Sequence, residues 1–126
     1  MVFLGCFILA GSAFAKDNSS EFVGTWGGNF CTMDAKDGLR CGKPAEIVID
    51  EQKEDLVRGH ITINGKQFPL SGIINEKNTI DYTDALGSIG TLRLMPENIM
   101  QMRTLNRCVK GENECAHKGM FKKKMK

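Results

Sequence analysis

The sequence predicts an all-β fold: an antiparallel, eight-stranded up-and-down meander that closes into a small barrel, with an open β-sandwich as the alternative. Three observations carry this. Short runs with apolar residues at every second position recur along the chain, separated by turns of three to four residues. Asn64-Gly65 sits between two such runs and marks a two-residue hairpin, because a type I′ turn needs positive φ at both central positions. No stretch sustains a 3.6-residue period, so little or no helix is expected. A meander of this length escapes exposed edges by closing on itself.

Taken in order, the elements start with Met1–Ala15, MVFLGCFILAGSAFA, which is almost wholly apolar and ends in the small-x-small form of a signal-peptidase site. It is shorter than the roughly 20 residues a membrane span needs. A signal peptide over 1–15 is therefore expected, with an interfacial or buried N-terminal segment as the alternative. Cys6 precedes most of the apolar run, which argues against a lipidated cysteine. Residues 16–20 read as disordered, and 21–123 as one β-barrel domain. Export to a secreted or periplasmic location follows from the leader.

Strand one is expected over Phe22–Phe30, with Trp26, the single Trp of the chain, plugging one barrel end. Cys31–Pro44 (CTMDAKDGLRCGKP) lacks apolar periodicity and reads as a long loop. Strands follow at Ala45–Glu51, Asp55–Ile63, Lys66–Ile74, Thr79–Asp84, Ser88–Met95, Ile99–Arg107 and Ala116–Lys123. The hairpin register is explicit: Ile63 faces Lys66, Ile61 faces Phe68 and Gly59 faces Leu70. Ile61, Ile63, Phe68 and Leu70 then share one face, and His60, Thr62 and Gln67 the other. Pro69 cannot donate a ladder bond, which implies an edge or a bulge.

Beyond the expected leader stand four cysteines, Cys31, Cys41, Cys108 and Cys115, an even count that in an exported chain reads as two disulfides. Three pairings are open on paper. The local one, Cys31–Cys41 with Cys108–Cys115, is expected, each closing a short loop. If Cys108 opposes Cys115, Met102 lies opposite Phe121. A zinc site is disfavoured: there is no Cys-x-x-Cys, and Cys115-x-His117 is a poor ligand pair.

The Phe22-x-Gly24-x-Trp26 opening followed by an antiparallel meander resembles the calycin-type barrels: lipocalins, avidins and the small bacterial inhibitor barrels built like them. The resemblance rests on Gly24 and Trp26 together with the architecture. The biotin-contacting pattern of avidins is not recognisable, so biotin is not carried over. For the later basic motif of lipocalins, Arg103 or Arg107 stands in by position alone.

No catalytic set emerges, and no enzyme is expected. His60 and His117 read as solvent-facing, without a marked nucleophile or partner. Asp81 and Asp84 fall on opposite strand faces. Asp34 and Asp37 lack EF-hand spacing, and Gly59–Lys66 lies on a hairpin instead of preceding a helix, which excludes a phosphate loop. No cofactor or metal is implied. The candidate binding set is a soft apolar cavity lined by Trp26, Tyr82 and Met102, with core filling as the alternative for the methionines; Arg93 and Arg103 either meet an anionic group there or face solvent.

Net charge is +2. Residues 118–126 carry five lysines and no acid, leaving 12 basic against 15 acidic residues elsewhere. The basic tail at 124–126, with Lys122 and Lys123 before it, suits weak contact with an anionic surface through Lys122, Lys123, Lys124 and Lys126. Aromatics do not interleave with the basic residues, so nucleic acid is not an expected partner. The chain thus reads as an exported binding module that engages a small apolar ligand or an extracytoplasmic protein at the barrel mouth. The alternative is a secreted inhibitor or interaction barrel acting through the Cys31–Cys41 loop.

Overall fold

The computed structural model describes residues 21–76, 78–107 and 114–125. The expected leader, the 16–20 segment, Cys108 and Lys126 lie outside the described residues.

Eight strands run in sequence order: β1 Gly24–Asp34, β2 Gly38–Lys53, β3 Leu56–Ile63, β4 Lys66–Glu76, β5 Thr79–Asp84, β6 Ile89–Met95, β7 Ile99–Arg107 and β8 Glu114–Lys123. Each pairs antiparallel with the next, and β1 pairs with β8, so the sheet closes into a barrel. The meander and its closure stand as the patterning predicts; the sandwich alternative does not.

The β3–β4 hairpin has the expected register, with Ile63 opposite Lys66, Ile61 opposite Phe68 and Gly59 opposite Leu70. Its turn residues take φ of 53° at Asn64 and 80° at Gly65, as a type I′ turn requires. Pro69 uses neither bulge nor sheet edge toward β3, where the register is unbroken opposite His60. Instead it ends the other ladder. The Pro69 carbonyl accepts from the Ala85 amide at 3.0 Å, and the return bond is missing because proline has no N–H. The β4–β5 pairing stops one residue earlier, at Leu70 opposite Asp84.

Three further expectations are corrected. Cys31–Pro44 is not a loop. β1 runs on to Asp34 and β2 begins at Gly38, giving a long hairpin with a bulge between Phe30 and Thr32 and a Cys31–Cys41 disulfide across it. Residues 39–44 are exposed, so no face there alternates and no period-two signal forms. Next, Glu21 and Phe22 are helical, and the first strand begins at Gly24. Last, Met102 faces Gly119, while Met100 faces Phe121 and Asn106 faces Cys115. The offset is two residues, which preserves the faces: Met102 and Phe121 both point inward. Cys115 is disulfide-bonded; its expected partner Cys108 lies outside the described residues.

The connections β1–β2, β3–β4, β5–β6 and β7–β8 share one end, called here the mouth. The other end, the floor, carries the remaining turns and the helical residues 21–22. The inward side chains of the floor and waist are apolar: Trp26, Ile47, Ile49, Val57, Ile80, Leu92, Met100 and Phe121 are buried, with Phe22 against them. The Trp26 indole is fully buried, and its Nε1–H donates to the Phe22 carbonyl at 3.0 Å. This satisfies the one polar atom that burial would otherwise strand. Lys123 crosses the same end, its Nζ 5.5 Å from the indole centroid.

Candidate functional site

Following the inward parity of each strand toward the mouth changes the chemistry. On β1, Trp26 and Phe30 give way to Thr32 and Asp34. On β7, Met100 and Met102 give way to Thr104 and Asn106. On β8, Phe121 gives way to Gly119, His117 and Cys115. On β5, Ile80 gives way to Tyr82 and Asp84. Thr32, Asp34, Ser88 and Thr104 are the buried polar residues of the described chain, and all lie at this end.

These groups bond to one another. Asn106 Nδ2 donates to Ser88 Oγ at 3.0 Å, which leaves Asn106 Oδ1 to accept from His117 Nε2 at 3.0 Å. With the ring proton thereby on Nε2, His117 Nδ1 accepts from the Thr32 hydroxyl at 2.8 Å. The ring packs edge-on against Phe30, centroids 5.7 Å apart. Burial holds the His117 pKa below its ordinary value, opposed by the charge of Asp84 and aided by that of Arg40. The imidazole is therefore neutral at neutral pH, as the chain of hydrogen bonds requires. His117 is thus an interior pin and not the solvent-facing side chain the sequence suggested.

Beside it the Tyr82 hydroxyl meets the Thr104 hydroxyl. Burial pushes the phenol up to about 12, against the Thr104 hydrogen bond and with help from Asp84. Two carboxylates pin turns at this end. Asp34 Oδ1 accepts from the Lys36 amide at 2.7 Å and the Asp37 amide at 3.4 Å. The Lys36 bond in particular lowers its pKa, against its desolvation and with Arg40 adding to the shift. Asp84 Oδ1 accepts from Leu86 and Ser88 amides at 2.9 and 3.2 Å. Each is an Asx-type cap on its own turn. Among the described residues no three His, Cys, Asp or Glu side chains converge into a metal-binding group.

Thr32, His117 and Asn106 have the order of a nucleophile, a base and an orienting amide. Thr32 is mid-strand, paired with Arg40 on one side and His117 on the other.

Of the sequence-derived set, Trp26, Tyr82 and Met102 all enter the one buried core. Arg103 does not join them: it alternates with Met102, lies on the outer wall and is exposed, as is Arg93. Two surface hollows among the described residues, about 480 Å³ at Glu51, Lys53, Leu56, Val57 and Arg58 and about 350 Å³ at Glu21, Asn78 and Leu94–Asn98, are at the floor end. Neither touches Trp26, Tyr82 or Met102. The basic run is also redistributed. Lys123 donates to the Glu21 carbonyl at 3.3 Å, and Lys124 pairs with Glu46 at 2.5 Å. Of the four lysines expected to meet an anionic surface, Lys122 alone projects from the described wall without such a bond, and Lys126 lies outside the described residues.

The barrel has counterparts among solved structures. It is similar to a redesigned β-barrel, mFAP1, bound to DFHBI, at 11% identity and a TM-score of 0.52, covering 84% of this chain and 98% of that one. It is also similar to a de novo designed fluorescence-activating β-barrel, at 14% identity and a TM-score of 0.51, covering 86% and 98%. At such identities the likeness is one of fold, and it does not single out calycins or lipocalins. No protein-family model matches the chain, and no curated protein matches it.

Sequence reasoning missed the interior polar cluster, yet its signal was present. Counting back by twos from Phe121 puts Gly119, His117 and Cys115 inside, and counting on from Met102 does the same for Thr104 and Asn106.

Proposed function

We propose that this protein is an exported, non-enzymatic binding module that engages a partner with the rim of its mouth. The observation that carries the reading is the exposed pair Met33 and Leu39, directly opposite each other on the disulfide-stapled β1–β2 hairpin and 51% and 62% exposed. Large apolar side chains held out on a rigid support are what a docking surface needs. The mouth beneath them is stiffened by the Thr32–His117–Asn106–Ser88 chain. The test is recovery of the protein from the extracytoplasmic fraction of its own cells. The wild type is expected in a complex or on a membrane, and the Met33→Ser, Leu39→Ser double variant free. A wild type that is equally free and monomeric contradicts the reading.

A second reading, a small ligand in the bore, is favoured by the likeness to a barrel bound to DFHBI. It draws on the Tyr82 and Thr104 hydroxyls as the polar end of a site whose apolar part is Met102 and Leu92. Such a ligand has to displace packed side chains. Saturable enhancement of an apolar dye, weakened by Tyr82→Phe, supports it; absence of saturable binding removes it.

A further inference from the structure

The exposed apolar side chains of the rim are not scattered. Leu39 faces Met33, Met33 faces Ala116, Ala116 faces Leu105 and Leu105 faces Ile89. These five residues form one outward row across β2, β1, β8, β7 and β6. Four strand spacings make it about 19 Å long. Leu105 and Ile89 are 66% and 71% exposed, and Leu86, 42% exposed, adds to the same end.

The next outward row, about 7 Å toward the floor, places Lys118 directly opposite Arg103. Below it come Met120, Gln101 and Arg93, then Lys122. Among the described side chains, the outward positions of β6, β7, β8 and β1 carry four cations, Arg93, Arg103, Lys118 and Lys122, and no carboxylate. All four are exposed. None makes an ion pair among the described residues, whereas Arg58 and Lys53 on the opposite wall both pair with Glu51. That opposite wall also carries Glu46, Asp50 and Asp81.

Folding explains neither feature. Like charges directly opposite on one sheet face destabilise it, and a contiguous apolar row in water invites association. Together they fit an interface that is apolar at one depth and anionic just above it. The row also follows the curve of the barrel through half its circumference. A fluid surface accommodates such a convex row; a rigid protein has to supply a matching collar.

We propose that the β6–β7–β8–β1 side of the mouth docks at an anionic phospholipid surface, the apolar row entering the headgroup–acyl boundary and Lys118 and Arg103 meeting lipid phosphates. This rests on the rim-binding reading above and names its partner.

Every ladder of the barrel closes within residues 24–123, so a chain of residues 16–126 keeps the fold without the apolar leader. Its sedimentation is measured with vesicles of phosphatidylcholine alone and of phosphatidylcholine mixed with phosphatidylglycerol. Binding is expected to the anionic vesicles only, and to weaken with salt. Arg103→Glu with Lys118→Glu is expected to lower partitioning about ten-fold or more. Leu105→Ser with Ile89→Ser lowers it at unchanged charge. Lys53→Glu with Arg58→Glu, which alters net charge by the same amount on the opposite wall, is expected to change it less than about three-fold. Circular dichroism confirms that each variant is folded. Absent binding to anionic vesicles, or equal loss in the opposite-wall control, overturns the proposal. Loss of vesicle binding alongside a stable protein complex or dimer overturns the lipid partner but leaves the rim-binding reading standing.

Discussion

Gly28 on β1 lies so close to Met120 on β8 that a Cβ added there would stand 2.1 Å from the Met120 carbonyl oxygen. This contact is where the first strand meets the last and the barrel shuts. No real Cβ tolerates such an approach, so the position demands glycine. Gly28→Ala should separate the two strands and cost about 1–3 kcal/mol, read as a lower denaturation midpoint in urea. The loss should appear as faster amide exchange along β1 and β8, while the β3–β4 hairpin keeps its protection.

The Cys31–Cys41 bridge closes a sequence separation of 10. In the chain-entropy account a loop of this length contributes roughly 2.5 kcal/mol. Cys31→Ser with Cys41→Ser should therefore lower Tm by about 10 °C or more. The folded barrel should persist, because its ladders do not depend on the bridge. Scanning calorimetry of the double variant checks both statements.

His117 makes stability depend on pH in a stated direction. Its folded pKa is lowered by burial, so the unfolded chain takes up a proton first as the solution is acidified. The contribution is fully present above the unfolded value of about 6.5. It is lost as pH falls from there toward the folded value. The urea midpoint should fall between about pH 7 and pH 5 in the wild type, and less steeply in His117→Gln, in which the imidazole is gone.

How much of this was readable in the chain differs by region, for physical reasons. Where one strand face is buried and the other wet, alternation is strong: the β3–β4 register and the spans Thr79–Asp84 and Ile99–Arg107 coincide with the observed strands. At the mouth, Met33 and Leu39 are exposed, and Arg40 and Lys43 as well. Alternation disappears, and the hairpin reads as a loop. The polar mouth was hidden by a different route. Thr32, Thr104, Asn106 and His117 resemble surface residues by type, and their inward placement follows only once strand parity is carried through from Trp26, Met102 and Phe121. The row from Leu39 to Ile89 was not legible at all, since it joins five strands through registers that only closure brings together.

The account turns on the neutral polar side chains of the mouth, Tyr82 with Thr104 and Thr32 with His117, Asn106 and Ser88, bonding to one another inside the barrel. Tyr82 is the single tyrosine of the chain, so its ionisation is followed without interference by ultraviolet absorbance as pH is raised, with far-ultraviolet circular dichroism reporting the strands. The folded protein should titrate with a midpoint near the raised value of about 12, and the urea-unfolded chain near the ordinary value of about 10. A midpoint near the ordinary value while the strand signal is intact would contradict it.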